Sequence, residues 1–321
     1  MTPILEVKEL TKIFHVSANP FLPFATKPIP AVNHVSFSVM KGDTLGIVGE
    51  TGCGKSTLGR LIVKLYPSTS GDIILDGIPI TRLSENEFRP MRKKIQMIFQ
   101  DPYLSLDPRM TAGEIIGESY KIHNMAGQTK ELCTLEAEMM QLVGLSSEQL
   151  NRYPHEFSGG QRQRIGLARA LAVGAEIIIC DEPVSALDVS IQAQIINLFT
   201  DIQDRLTLTY LFISHDLSMV KYISTYVAVM YLGRFVEMAS RDELFAHPIH
   251  PYTQMLLQAV PEPDPVKERA KKHVTWTELA ESQPSPCSFF PRCKRADQSC
   301  HQGLPRLMDV GSGHQVACWK S

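Results

Sequence analysis

Apolar and polar positions change period several times along the chain, and each change marks an element. Residues 4–14 alternate in part and predict a first strand. Residues 31–39, AVNHVSFSV, alternate cleanly and predict a second. Between them residues 17–30 hold four prolines and little periodicity, which predicts a loop or insertion. The apolar run 45–48 is followed by the glycine-rich stretch GETGCGKST. Leu58, Leu61, Ile62 and Leu65 then recur at helical spacing, so the pattern is strand, loop, helix. Turn residues at 70–72 and 76–77 bracket a short strand at 73–75, which suggests a small antiparallel sheet. KIQMIFQ, residues 94–100, predicts another strand. From 107 to about 150 the period is helical, with Ile115, Ile116, Leu132, Leu135, Met139, Leu142 and Val143 on it. An inserted helical subdomain is the expected result. The continuous apolar runs 177–180 and 210–213 predict buried parallel strands, and shorter strands follow around 226–230 and 234–238.

This pattern defines an α/β fold. A parallel core carries a small antiparallel β subdomain, an inserted α-helical subdomain at about 101–172 and a cysteine-rich extension. Residues 1–260 are expected to form the main domain. Residues 261–321 form a linker, with five prolines between 261 and 286, and the extension. The 321 residues are 44% hydrophobic and 21% charged, ordinary for a chain that buries a core. A net charge of −2 gives no ground for nucleic-acid binding. Neither a long uncharged apolar run nor a basic-then-apolar start is present. The expected location is therefore the cytosol, or a membrane reached through partners.

Chemistry enters at residues 49–57. Gly49, Gly54, Lys55 and Ser56 meet the phosphate-loop pattern G-x-x-x-x-G-K-[ST]. Glycines there let successive N–H groups turn inward as an anion nest, and the following helix adds the positive end of its dipole. Lys55 would reach β- and γ-phosphates, and Ser56 would hold Mg²⁺. Asp181 and Glu182 end an apolar strand. The first suits Mg²⁺, and the second suits polarising a water for in-line attack. Ser158, Gly159, Gly160 and Gln161 open a helix and could grip a second phosphate group. One triphosphate already has a loop, so this second grip implies a head-to-tail dimer with ATP at the seam. Cys53 lies near a helix N-terminus, which predicts an acidified thiol whose alkylation blocks ATP binding.

On these motifs the chain resembles the ATP-binding subunits of ABC transporters, from about residue 4 to 240. Residues 49–57 look like their Walker A loop, Gln100 like the Q-loop glutamine and FSGGQRQR (157–164) like the signature. IIICDE (177–182) looks like Walker B, SALD (185–188) like the D-loop and His215 like the switch histidine. The resemblance implies a P-loop NTPase core of RecA-like type with ATP and Mg²⁺ as cofactors. Gly49, Glu50, Thr51, Gly52, Cys53, Gly54, Lys55, Ser56 and Thr57 would line the phosphates. Phe14 would stack on adenine. Ser56, Gln100 and Asp181 would serve Mg²⁺, Glu182 would be the general base, and His215 would contact the γ-phosphate.

FQDPYLSLDPRMT, RYPHEFSGGQRQRIGLARAL, DEPVSALDVSIQAQIINL and HPIHPYTQMLL resemble more closely the oligopeptide, dipeptide and nickel uptake branch. That likeness implies import of peptides, or alternatively of nickel or another small solute; a soluble ABC ATPase of DNA maintenance fits less well. It implies a second ATPase subunit (self or paralogue), two membrane permeases, and an extracytoplasmic binding protein acting indirectly. The place would be the cytoplasmic face of the membrane. A permease coupling helix would dock beside the Q-loop, against residues 103–111 and the helices before Ser158.

Four of the seven cysteines, Cys287, Cys293, Cys300 and Cys318, crowd the C-terminal stretch. Their spacing lacks the C-x₂-C pairs of structural zinc, and four thiolates could instead hold an iron–sulfur cluster; the resemblance to the uptake branch implies [4Fe–4S], with Zn²⁺ or no metal as the alternatives. His301 and His314 could substitute as ligands. Cys180 is expected in the core.

Overall fold

The continuous apolar runs form the centre of the main sheet. The computed structural model describes residues 2–17, 26–125, 129–185, 187–260 and 286–321. In chain order come β1 (Leu5–Ser17), β2 (Thr26–Val39), β3 (Thr44–Val48), α1 (Lys55–Ile62), β4 (Ser70–Leu75), β5 (Ile78–Pro79) and α2 (Glu85–Phe88). Then follow β6 (Ile95–Ile98), α3 (Pro102–Ser105), α4 (Ala112–Ile122), α5 (Thr129–Leu142), α6 (Gly159–Ala172) and β7 (Ile177–Asp181). After these come α7 (Val189–Leu206), β8 (Thr209–Ile213), α8 (Leu217–Ile223), β9 (Tyr226–Tyr231), β10 (Arg234–Ser240), α9 (Arg241–Ala246) and α10 (Pro251–Gln258). Two short strands, β11 (Met308–Asp309) and β12 (Gln315–Val316), end the series.

The main sheet runs β11-β12-β10-β9-β3-β8-β7-β6, and β9, β3, β8, β7 and β6 are mutually parallel. A parallel strand covered on both faces needs apolar residues in both phases, which explains the missing alternation. Along β7, Ile177 and Ile179 enter one core with Leu58, Leu61 and Ile213. Ile178 and Cys180 enter the other with Phe199, Tyr210 and Phe212. The second core continues through Ile115, Ile116, Met140, Val143 and Ile165, which pack α4, α5 and α6 together. Thr111 starts α4 with a capping box. Its Oγ1 accepts from Glu114 N at 3.3 Å, and its own N–H donates to Glu114 Oε2 at 2.8 Å.

A second sheet, β2-β1-β4-β5, is antiparallel. Here the expectation of a loop over 17–30 needs correction. β1 reaches Ser17, and Pro28 and Pro30 lie within β2 opposite His15 and Ile13. Proline interrupts an interior ladder, but β2 is an edge strand, and an edge tolerates residues that donate no ladder bond. Residues 18–25, Ala186 of the SALD stretch and all but the last residue of the expected linker lie outside the described residues. The extension joins the main sheet, with β12 running antiparallel to β10 and pairing Val316 with Glu237.

Candidate active site

β3, β6, β7 and β8 end together. Ile47 and Asp181 both lie opposite Ile213, and Ile98 lies opposite Cys180. The residues after each strand therefore meet at the carboxyl edge of the sheet, where open α/β folds place ligands.

After β3 the chain loops back into α1. Gly49 (φ 155°) and Gly54 (φ 110°) adopt backbone angles that other residues avoid. A Cβ on Gly49 would lie 2.2 Å from Met230 O, and one on Gly54 would lie 2.1 Å from Ala31 O. Backbone is thus packed against backbone at both positions. Gly54 is the N-cap of α1, so the unpaired amides of the first helical turn open toward the loop. Lys55 is buried, and its Nζ donates to the carbonyls of Gly49 (2.8 Å) and Glu50 (3.0 Å). Its ammonium therefore already sits in the concavity. Thr51 and Gly52 are exposed, and Thr57 is half-buried on α1.

In the first turn of α1, Ser56 Oγ donates to Asp181 Oδ1 at 2.6 Å. Asp181 is fully buried. Among the described residues its Oδ2 has no hydrogen-bond partner, and the Arg60 guanidinium approaches to 3.9 Å. Burial holds this carboxyl above its ordinary range, against the opposing pull of the Ser56 bond and the Arg60 charge. A hydroxyl and a carboxylate with one unsatisfied buried oxygen form a hard donor set suited to Mg²⁺.

Beyond it, Glu182 adopts a left-handed backbone (φ 48°), and its N–H donates to Ile213 O at 2.9 Å. Its Oε2 accepts from Gln100 Nε2 at 2.9 Å and faces His215 Nδ1 at 3.2 Å. Thr51, Gln100, Asp101, Glu182, Ser185 and His215 line one open cavity of about 550 Å³. The expected catalytic trio is thus brought together beside the phosphate loop.

Other expected residues lie apart from this cavity. Ser158 caps α6 reciprocally with Gln161: Ser158 Oγ accepts from Gln161 N at 3.3 Å, and Gln161 Oε1 accepts from Ser158 N at 3.0 Å. Gly160 has a packing reason to be small, since a Cβ there would lie 2.6 Å from Ile191 Cγ2; on Gly159 it would lie 2.9 Å from Leu187 Cδ2. Phe14 sits on β1, edge-on to Tyr66 at 5.8 Å. Cys53 corrects an expectation. Its thiol is only 4% exposed, and burial pushes it up in spite of nearby Lys55. Helix-terminus acidification loses to desolvation.

Cys287, Cys293, Cys300 and Cys318 share the wall of one small cavity, about 20 Å³, with His250, Phe289 and Trp319. Soft sulfur donors on one hollow suit a soft metal. Among the described residues, however, no three His, Cys, Asp or Glu side chains are already placed to hold one. The alternative ligands have other contacts. His301 lies against the Phe290 ring, 4.6 Å between centroids, and buried His314 is joined through Nε2 to Glu237 Oε1 at 2.8 Å.

Sequence reading missed three partners. Arg60, one helical turn after Ser56, was detectable from its spacing. Glu237 is fully buried; beside His314 it accepts the N–H groups of Ile249 (2.7 Å) and His250 (3.0 Å). The third is Arg292, which holds Glu50 from the far end of the chain. Its Nη1 and Nη2 donate to the two Glu50 carboxylate oxygens at 2.9 and 2.8 Å, and the Glu50 N–H donates to Tyr252 Oη at 2.9 Å. These contacts join distant segments and have no local signal.

Comparison with known proteins agrees with this geometry. Residues 32–185 match the ABC transporter family model, and residues 236–300 match that of the oligopeptide/dipeptide transporter C-terminal region. The chain is 54% identical over 263 residues to the oligopeptide transport ATP-binding protein OppF of Bacillus subtilis, covering 82% of this chain and 86% of that one. It is 48% identical over 322 residues to AppF of the same organism, covering 98% and 96%. A solved structural neighbour, the dimeric post-hydrolysis state of the ATP-binding cassette MJ0796 bound to ADP and Pi, is 26% identical. It has a TM-score of 0.65 and covers 74% of this chain and 98% of that one.

Proposed function

The chain belongs to the ATP-binding subunits of ABC transporters, and from that premise we propose how its site drives peptide import. It is an ATPase of the oligopeptide-uptake branch. The observation that carries the mechanism is the convergence of Gln100 and His215 on one oxygen of Glu182. Glu182 takes a proton from the attacking water. Gln100 and His215 orient its carboxylate and report whether the γ-phosphate is present. Lys55 exchanges its two carbonyl partners for phosphate oxygens, and the amides of the α1 terminus close on the same group. Ser56 and Asp181, with Gln100, would hold Mg²⁺, which when bound neutralises charge developing on the phosphates. Phe14 is read as the adenine platform at the edge of β1.

Ser158, Gly159, Gly160 and Gln161 would serve the nucleotide of a second ATPase subunit, self or paralogue. The MJ0796 cassette, a structural neighbour, is a dimer. Residues 1–260 would form the ATPase domain, with the helical subdomain at about 101–172 relaying closure to two permeases at the cytoplasmic face of the membrane. No described helix is long and apolar enough to cross a membrane. An open groove of about 680 Å³ beside Gln100, bordered by Met97, Phe99, Ser105 and Arg169, suits a permease coupling helix. Residues 261–321 would be linker and cysteine-rich region. The reading of Cys287, Cys293, Cys300 and Cys318 as [4Fe–4S] or Zn²⁺ ligands is supported by their shared hollow. Metal analysis of anaerobically purified protein tests it.

Glu182→Gln tests the catalytic reading. It should bind ATP and accumulate as an ATP-held dimer while turnover falls about 10²–10⁴-fold. Near-normal turnover removes Glu182 from the base role.

A further inference from the structure

We propose that Arg292, in the C-terminal region, is a positioning residue for the phosphate loop and sets the affinity for ATP. The inference rests on residues 49–57 being that loop.

Glu50 directly follows the first loop glycine, and each of its polar groups is occupied. Lys55 Nζ takes its carbonyl at 3.0 Å, and Tyr252 Oη accepts its N–H at 2.9 Å. Both carboxylate oxygens lie in the fork of the Arg292 guanidinium, at 2.9 and 2.8 Å. Tyr252 is fully buried, and Arg292 is laid against the rings of Tyr231 and Phe289, each 5.8 Å away. The pairing holds the guanidinium well above its ordinary range.

This arrangement has an electrostatic and a geometric effect. A carboxylate on the phosphate loop repels a triphosphate; a bidentate guanidinium neutralises Glu50 and fixes the direction in which it points. The Tyr252 bond turns one loop N–H outward and so helps determine which amides remain for phosphate. When Lys55 leaves its two carbonyls for a nucleotide, the fork and the Tyr252 hydroxyl still hold the loop. Both residues fall in the matched region 236–300, outside the ABC transporter match at 32–185. The C-terminal region thus preorganises the nucleotide site without touching the reacting atoms. Its loss should weaken ground-state ATP binding and leave the chemical step alone.

The test uses the full chain, with equilibrium binding of ATP and steady-state hydrolysis. Arg292→Ala should weaken ATP binding and raise KM about tenfold while kcat changes less than about twofold. In a Glu50→Gln background the same substitution should change affinity less than about twofold, because the coupled charge is already gone. Arg292→Lys keeps the charge but not the fork and should fall between, at about threefold. It also serves as the test if Arg292→Ala does not fold. Lys55→Ala is the parallel control. If it binds ATP normally, the phosphate-loop reading fails, and the proposal with it. If it abolishes binding while Arg292→Ala and Arg292→Lys leave affinity unchanged, the proposal alone is overturned. It is also overturned if the loss from Arg292→Ala is equal with and without the Glu50 carboxylate.

Discussion

Two fully buried carboxylates, Asp181 and Glu237, show how differently the same side-chain chemistry is used at two ends of this molecule. Glu237 is saturated: two backbone N–H groups and an imidazole nitrogen converge on it, and it ties the C-terminal extension to β10. Asp181 accepts one hydroxyl and leaves an oxygen without a hydrogen-bond partner, and burial raises its pKa. A saturated buried carboxylate holds structure, whereas an unsatisfied one stores desolvation cost that a ligand can relieve. The comparison separates a region built to stay from one built to bind.

It can be tested by removing each group. Glu237→Ala strands three donors in the interior and should cost about 3–5 kcal/mol of stability in urea titrations. A loss under about 1 kcal/mol would erase the distinction. Asp181→Asn should lower Mg²⁺-dependent turnover about 10²–10³-fold, with a melting temperature no lower than that of the parent. If this variant melted as early as Glu237→Ala, Asp181 would be structural as well. The smallest effect comes from pH. His250 adjoins the Glu237 network; burial, with a push from Arg295, lowers its pKa from 6.5 to about 4. Its Nδ1 accepts Tyr252 N–H at 3.1 Å, so the folded state keeps it neutral. The unfolded chain takes up the proton first, so stability should fall as pH drops from about 6.5 to about 4 and then level off. The total is at most about 3 kcal/mol. His250→Asn, measured by denaturation across that range, should flatten the slope.

The nucleotide site was legible because its parts are local. Each motif occupies a few consecutive residues at the end of an apolar strand, and parallel register delivers all of them to one edge. The strands at 177 and 209 were visible as unbroken apolar runs for the same reason. The misreadings came from properties that neighbouring residues do not reveal. Pro28 and Pro30 were compatible with a strand because β2 lies at an edge, a fact of topology. Cys53 was judged by the helix beside it, whereas burial decided its proton affinity. Arg292 and Glu50 are 242 positions apart, and Glu237 and His314 are 77 apart, beyond any periodicity. The extension consists mostly of such pairings, so its attachment was invisible while its cysteines were not.

The position of β3 has a consequence for synthesis. The strand that carries the phosphate loop lies between β8 and β9, pairing with Tyr210 on one side and Tyr226 on the other. Both neighbours are made long after it. Until they arrive, a nascent chain displays the loop sequence on an apolar strand with no partner, and no pocket exists for nucleotide to enter. ATP therefore cannot guide the early stages of folding. The fuel site comes into being only when β8 and β9 close around β3.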